Sequence, residues 1–226
     1  MSLIVKICGL STPEALDVAI EEHADMVGFV FFPPSPRNIS FDAAHALGAR
    51  VTGRAKKVAL SVDADDALLL RIVETLSPDI LQLHGRETPE RVAAIKARFK
   101  LPIIKALAIE AKGDFERMKH YASAGDWILF DSKAPAGATR PGGLGKPFDW
   151  ALIGGAIPGV PVMLSGGLTA ENVEEALRNT HVPGVDVSSG VESSPGHKDP
   201  EKIREFIHAA RQAHLSLPPY EVLSEP

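Results

Sequence analysis

Short runs of β-branched and aliphatic residues alternate eight times with segments of helical length along this chain. The runs are Leu3–Cys8, "DMVGFVF" from Asp25, "KVALSV" from Lys57, "DILQLHG" from Asp79, "PIIKALAI" from Pro102, "WILFD" from Trp127, "PVMLSGG" from Pro161 and "GVDVSSG" from Gly184. No Pro/Gly-rich linker divides the series, so the pattern predicts an α/β fold, a single (β/α)8 TIM barrel over residues 1–214. A doubly wound open sheet is the alternative. The proline-containing segment "LSLPPYEVLSEP" breaks the alternation and predicts a loose tail over 215–226.

Helical segments follow the strands, and three of them begin with the same signal. Thr12-Pro13-Glu14, Thr88-Pro89-Glu90 and Asp199-Pro200-Glu201 each place a capping side chain before a proline that suits the first helical turn. The predicted helices are Thr12–Glu22, Phe41–Arg50, Ala64–Thr75, Pro89–Phe99, Asp114–Ala122, a short one from Asp149, Thr169–Asn179 and Pro200–His214.

Composition narrows the class of protein. With 45% apolar and 23% charged residues in 226, the chain has enough material for a core and is not disordered. The net charge of -5 and the scattered 24 basic residues offer no positive stripe for nucleic acid. No segment approaches the roughly 20 apolar residues of a membrane span, and one cysteine forms no disulfide. We therefore expect a cytoplasmic protein with neither nucleic acid nor membrane as a partner.

Polar residues end the predicted strands, where a TIM barrel carries its active site. The seventh and eighth strands end in Gly166-Gly167 and Ser188-Ser189. Backbone N–H groups in such turns bind phosphate in this fold, so we predict a phosphate site there. Tight turns with no ligand are the alternative.

Cys8 is the only cysteine and ends the first strand. An inert buried thiol is the common role of such a residue. Strand alternation, however, places Leu3, Val5 and Ile7 on one uniformly apolar face and turns Lys6 and Cys8 into the barrel. A cation there needs an anion, and Asp186 on the closing strand is the nearest candidate. We expect Lys6 to favour the thiolate of Cys8, the form that acts as a base.

Asp131 ends the sixth strand and precedes the long Gly/Pro-rich loop 132–147. Long loops at a barrel rim act as lids, and a carboxylic acid that stays protonated at a dry rim serves as a general acid. The alternative is a capping or turn-forming aspartate.

Two further residues are candidates for substrate contact. Arg37 follows the second strand, where it can grip a carboxylate in a bidentate pair, although a solvated loop cation is the default. His84 and Gln82 are two residues apart, so both side chains point into the barrel. The sequence alone favours a structural role for this histidine. We predict that His84 and Asp186 also bind the substrate.

Seven segments in order resemble phosphoribosylanthranilate isomerase, the isomerase family of tryptophan biosynthesis. They are "VKICGL", "GFVFFPPSPR", "LQLHG", the aspartate of "LFDSK", "RPGGLGKPFDW", "LSGGL" and "VDVSSGVE". The resemblance implies a (β/α)8 barrel, no cofactor and an Amadori rearrangement of N-(5-phosphoribosyl)anthranilate, a small phosphorylated substrate. It also implies that Cys8 is the general base, Asp131 the general acid, Arg37 the carboxylate contact, and Gly167, Ser188 and Ser189 part of the phosphate site. Leu144 departs from the threonine common in "GGLG", which bears on the lid rather than on the chemistry.

Two rival functions remain open from the sequence. The related isomerase of histidine biosynthesis runs the same rearrangement, but that family has an aspartate in place of Cys8 and lacks the motif around Arg37. A catalytically silent barrel that binds a sugar phosphate is the other, because a phosphate cradle alone does not prove turnover. Both a monomer and a homodimer are compatible with the sequence.

Overall fold

A computed structural model describes residues 2–109, 114–132, 150–153 and 160–217. Within these ranges eight parallel strands form a closed barrel in chain order. They are β1 Ile4–Cys8, β2 Met26–Phe31, β3 Lys56–Ser61, β4 Ile80–Leu83, β5 Ile103–Ile109, β6 Trp127–Ser132, β7 Val162–Leu164 and β8 Gly184–Val187. Lys6 of β1 is in register with Met26 on one side and Asp186 on the other, so β1 closes the barrel against β8. The predicted single barrel is confirmed, and the open sheet is wrong.

The helices of the described ranges lie outside the barrel. They are α1 Pro13–Glu21, α2 Phe41–Val51, α3 Asp66–Leu76, α4 Pro89–Phe99, α5 Asp114–Ala122, α6 Val173–Thr180 and α7 Pro200–Ser216. Short 3-10 helices occupy Trp150–Ile153 and Ser189–Val191, and an antiparallel pair, β9 Glu192–Ser194 and β10 His197–Lys198, follows β8. Asp149, the predicted start of a short helix, lies outside the described residues.

The three repeated start signals act as helix caps. The side chain of Thr12 accepts a hydrogen bond from the backbone N–H of Ala15, and that of Thr88 accepts one from Arg91. Asp199 accepts from the N–H groups of Glu201 and Lys202. Each cap satisfies an N–H group that has no partner within its own helix.

Helix α6 begins four residues later than predicted. The Asn172 side chain accepts a hydrogen bond from the N–H of Thr169 at 2.8 Å and donates one to the carbonyl of Gly167 at 2.9 Å. These two bonds hold Thr169–Asn172 as a separate turn before Val173, where the helix starts. An asparagine that bonds local backbone in this way competes with helix formation.

Two apolar cores lie on opposite sides of the strands. Val5 and Ile7 belong to the core between strands and helices, as the alternation of β1 predicts. The lower interior of the barrel is filled by Met26, Val58, Ile80, Ile104, Ala106, Leu129 and Met163. This plug supports the polar residues above it, at the carboxyl ends of the strands.

Helix α7 ends at Ser216, two residues beyond the predicted limit of the barrel domain at 214. Of the predicted tail, residues 218–226 lie outside the described residues. None of the helices in the described ranges combines the length and apolar character that crossing a membrane requires.

Candidate active site

A pocket that is open to solvent lies at the carboxyl ends of the strands. Its lining includes all nine site residues that the sequence predicts: Cys8, Arg37, His84, Asp131, Gly166, Gly167, Asp186, Ser188 and Ser189. The barrel therefore brings residues from six separate segments of the chain to one cavity. The catalytic and binding roles of these residues remain predictions.

Lys6 and Asp186 form a buried ion pair beside Cys8. Nζ of Lys6 lies 2.7 Å from Oδ1 of Asp186, with 0% and 4% of the two side chains exposed. Ser165 Oγ donates to the other carboxylate oxygen at 3.2 Å. A Cβ atom at Gly28 would lie 3.0 Å from Sγ of Cys8 and 3.3 Å from Nζ of Lys6, so glycine leaves the space for both. The predicted pairing of Lys6 with Asp186 is confirmed.

The pKa of the Cys8 thiol is raised, not lowered. Burial raises the pKa of Cys8, and the Lys6 ammonium offsets that rise only in part, while Asp186 adds to it. Lys6 thus favours the thiolate, as the sequence predicts, but desolvation outweighs the cation and the net pKa of Cys8 is raised. For Lys6 burial acts to lower the pKa, but Asp186 and Cys8 outweigh it and hold the pKa above its usual value.

Asp131 is buried and is held by His84. Oδ2 lies 3.1 Å from Nε2 of His84, and Oδ1 accepts a hydrogen bond from the N–H of Ser132 at 2.9 Å. Gln82 Nε2 lies 3.3 Å from Nδ1 of His84. With the Gln82 amide in this orientation Nδ1 accepts, so Nε2 carries the proton and donates to Asp131. His84 thus lines the pocket and also fixes the carboxyl group of Asp131.

Arg37 is buried at the rim and is bound by a residue that the sequence analysis missed. Its Nε and Nη2 donate to Oε1 and Oε2 of Glu192 at 2.7 and 2.8 Å. Only 5% of the Arg37 side chain is exposed, so the solvated loop cation is wrong. Lys198 Nζ donates to Glu192 Oε1 at 2.7 Å and to the carbonyl of Ser188 at 2.8 Å.

Glu192 and Lys198, which contact each other beside Arg37, have shifted pKa values. Burial acts to raise the pKa of Glu192, but the hydrogen bond from Arg37 and the charge of Lys198 outweigh it, and the net pKa is lowered. Burial lowers the pKa of Lys198, with Glu192 opposing the change. Neither residue was assigned a role from the sequence, although Glu192 ends the segment "VDVSSGVE" that carries the family resemblance.

The turns after β7 and β8 are packed against each other. Gly166 and Gly167 have φ angles of 85° and 72°, in the left-handed region that favours glycine. A Cβ atom at Gly190 would lie 1.9 Å from the carbonyl oxygen of Leu168, so only glycine permits this contact between the turns. Ser188 Oγ donates to the carbonyl of Cys8 at 3.0 Å, which ties the second turn to β1. The two turns form one rim, as a shared anion site requires.

An apolar wall faces this rim across the pocket. It consists of inward-pointing residues at the end of β2 and β3 and just beyond them: Val30, Phe32, Leu60 and Val62. A flat aromatic ring can bury its faces against such side chains. In the described residues no group of three His, Cys, Asp or Glu side chains is placed to hold a metal ion.

Comparison with known proteins gives one consistent result. A family model described as N-(5'phosphoribosyl)anthranilate (PRA) isomerase matches residues 5–209. A relative from Nitrobacter hamburgensis, named N-(5'-phosphoribosyl)anthranilate isomerase, is 61% identical over 96% of this chain and 96% of its own. The crystal structure of phosphoribosyl anthranilate isomerase from Thermotoga maritima has 36% identity and a TM-score of 0.83, and covers 93% of this chain and 99% of its own. A structure of such an isomerase in complex with reduced 1-(o-carboxyphenylamino)-1-deoxyribulose 5-phosphate has 33% identity and a TM-score of 0.79, with the same coverage.

Proposed function

The chain belongs to the family of N-(5'-phosphoribosyl)anthranilate isomerases, and from that premise we propose how its own residues perform the reaction. The enzyme catalyses the Amadori rearrangement of N-(5'-phosphoribosyl)anthranilate to 1-(o-carboxyphenylamino)-1-deoxyribulose 5-phosphate in tryptophan biosynthesis. The observation that carries the residue assignment is that Cys8 and Asp131, a potential base and a potential acid, line the same pocket.

The substrate is anchored at its two anionic ends. The phosphate binds at the turns that contain Gly166, Gly167, Ser188 and Ser189, whose backbone N–H groups suit a dianion. The anthranilate carboxylate binds Arg37. Glu192 binds the Nε and Nη2 edge of Arg37 and so holds the guanidinium at the rim where this contact is made. The aromatic ring packs against the wall formed by Val30 and Phe32.

Asp131 is the general acid of the first step. It transfers a proton to the furanose ring oxygen, the bond from that oxygen to C1' breaks, and the nitrogen lone pair forms a protonated imine with C1'. His84, which donates to Asp131 Oδ2, keeps the carboxyl group oriented toward the substrate. The cationic imine then acidifies the proton on C2'.

Cys8 is the general base of the second step. As a thiolate it removes the C2' proton, and the released electron pair forms the C1'–C2' double bond of an enol while neutralising the imine. The cationic imine beside Sγ favours the thiolate at this stage, which offsets the effect of burial on the resting thiol. The enol gains a proton at C1' and loses its hydroxyl proton to give the ketone. Since gains and losses of protons cancel, the reaction is an isomerisation that consumes no cofactor.

Asp186 contributes at the substrate's hydroxyl-bearing portion while it balances the charge of Lys6. Asp186 lines the same pocket as Cys8 and the phosphate turns. We also place the enzyme in the cytoplasm, because the base is a free thiol that must stay reduced. All nine predicted site residues line a pocket within one chain, an arrangement compatible with either a monomer or a homodimer.

The test is turnover of the purified protein with N-(5'-phosphoribosyl)anthranilate, followed as loss of anthranilate fluorescence. The proposal requires loss with the wild type and none with a Cys8→Ala variant that still binds substrate. Binding without turnover by the wild type would instead identify a silent barrel.

A further inference from the structure

The segment after β8 crosses the rim and contacts the segment after β2. Gly196, in the turn between β9 and β10, has a φ of 87°, and a Cβ atom there would lie 2.5 Å from the carbonyl oxygen of Pro36. This direct backbone contact is next to Arg37. The β9–β10 pair therefore supports the residue that, under the proposed function, binds the substrate carboxylate.

Glu192 is the centre of a buried charge cluster at this crossing. Its carboxylate accepts hydrogen bonds from Nε and Nη2 of Arg37 at 2.7 and 2.8 Å and from Nζ of Lys198 at 2.7 Å. The side chains of Arg37, Glu192 and Lys198 are 5%, 4% and 1% exposed. The backbone carbonyl of Glu192 accepts from Lys202 Nζ at 2.9 Å, which fixes the start of β9 to α7.

The cluster links the two anion sites of the pocket. Lys198 Nζ also donates to the carbonyl of Ser188 at 2.8 Å and lies 3.3 Å from its Oγ. A continuous chain of polar contacts thus runs from Arg37 through Glu192 and Lys198 to Ser188. Ser188 is one of the phosphate-site residues, so the chain spans the distance between carboxylate and phosphate.

We propose that Glu192 is a positioning residue that fixes the plane of the Arg37 guanidinium for the substrate carboxylate and, through Lys198, sets its spacing from the phosphate turns. This inference rests on the proposed role of Arg37. A two-point fork orients a guanidinium in a way that a single hydrogen bond does not. An arginine held in place before binding loses less conformational freedom when the substrate arrives, so Glu192 acts on affinity rather than on proton transfer.

The test compares Glu192→Gln with the wild type. Glutamine keeps the size but offers one acceptor and no charge, so the fork is lost. We expect KM for N-(5'-phosphoribosyl)anthranilate to rise about threefold to tenfold, with kcat changed less than about twofold, because the freedom of one long side chain must now be lost on binding. Glu174→Gln is the matched control, since Glu174 pairs with Arg178 on the exposed surface and lies outside the site. That variant should match the wild type.

A substrate analogue separates positioning from general support of the fold. With N-(5'-phosphoribosyl)aniline, which lacks the carboxylate, Glu192→Gln and the wild type should have equal KM values. In an Arg37→Ala background, Glu192→Gln should add no further rise in KM for the carboxylated substrate, because the two changes remove the same interaction.

The outcomes distinguish a failure of the proposed role of Arg37 from a failure of the proposed role of Glu192. If Arg37→Ala leaves KM unchanged, the role of Arg37 in the proposed function fails and the inference falls with it. If Arg37→Ala raises KM but Glu192→Gln does not, or raises it equally for the analogue, only the inference is overturned. Should Glu192→Gln fail to melt cooperatively, Glu192→Asp replaces it: the charge stays near Lys198 but the shorter side chain cannot span the fork, and the same selective rise is expected.

Discussion

Replacing Lys6 with Met removes the buried cation beside Cys8 and keeps a side chain of similar length. We expect this change to raise the pKa of Cys8 further, because the ammonium favours the thiolate while Asp186, left in place, disfavours it. Less thiolate is then present at neutral pH, and kcat/KM falls there. The loss should be recovered as the pH rises, since the thiol can still be deprotonated.

The structure sets the size of this effect. Sγ of Cys8 and Nζ of Lys6 lie 3.0 and 3.3 Å from the same point at Gly28, so the two atoms are at most roughly 6 Å apart. Two unit charges at about 6 Å with an effective dielectric constant of about 20 interact by about 3 kcal/mol. That energy corresponds to about two pKa units. The thiolate fraction at pH 7, and with it kcat/KM, should therefore fall about 100-fold.

The assay is kcat/KM between about pH 6 and 10, which reports the ionisation of the free enzyme. Because burial raises the pKa of the wild-type thiol, the wild-type limb assigned to Cys8 should still be rising at the usual thiol pKa of about 8.5. The Lys6→Met limb should lie about two units higher. A wild-type limb already flat at pH 7, or a Lys6→Met variant with the kcat/KM of the wild type at pH 7, would refute the reasoning.

Stability must be followed in the same experiment. Lys6→Met leaves Asp186 buried without its cation, a change that costs about 3–5 kcal/mol in comparable pairs. The double variant Lys6→Met/Asp186→Asn removes both charges and should recover most of the lost melting temperature. In the pH profile of kcat/KM, the limb of the double variant should lie at higher pH than that of the wild type, because Lys6 acts on Cys8 more strongly than Asp186 does. The shift should be smaller than in Lys6→Met, because the opposing charge of Asp186 is removed as well.

Three further changes test other parts of the account. Asp131→Asn keeps the size but cannot donate the proton, so steady-state kinetics should show the loss in kcat; a defect confined to KM would indicate binding instead. Arg37→Ala should raise KM more than it lowers kcat, with a total loss of roughly 2–5 kcal/mol in kcat/KM, and Arg37→Lys should recover only part because it lacks the planar fork. Lys105→Met should lower the free energy of unfolding in urea by about 3 kcal/mol, since Lys105 Nζ lies 2.8 Å from Glu87 in a buried pair; a loss below about 1 kcal/mol would contradict this.

The barrel and the composition of the pocket were predictable because both follow from alternation. Once Val5 and Ile7 face the helices, Lys6 and Cys8 must face the interior, and the closing strand must supply an anion. The same alternation brings His84 and Asp131 to the rim. Their mutual contact, with Oδ2 and Nε2 3.1 Å apart, depends on a barrel neighbourhood that the pattern does not encode.

The rest depends on contacts between distant segments without periodicity. Arg37 and Glu192 are 155 residues apart and meet only because the β9–β10 pair turns back across the rim. The direction of the Cys8 pKa could not be read from the sequence either. The nearby cation is visible there, whereas the burial that outweighs it arises from the closed barrel as a whole.

The role of Cys8 as the general base is tested by the turnover of Cys8→Ala with N-(5'-phosphoribosyl)anthranilate, followed by fluorescence. This variant should bind the substrate but not turn it over. Cys8→Ser, which retains a much weaker acid at the same position, should lose kcat by about 10²–10⁴ with KM little changed. A Cys8→Ala variant that turns the substrate over at a rate near that of the wild type would show that Cys8 is not the base.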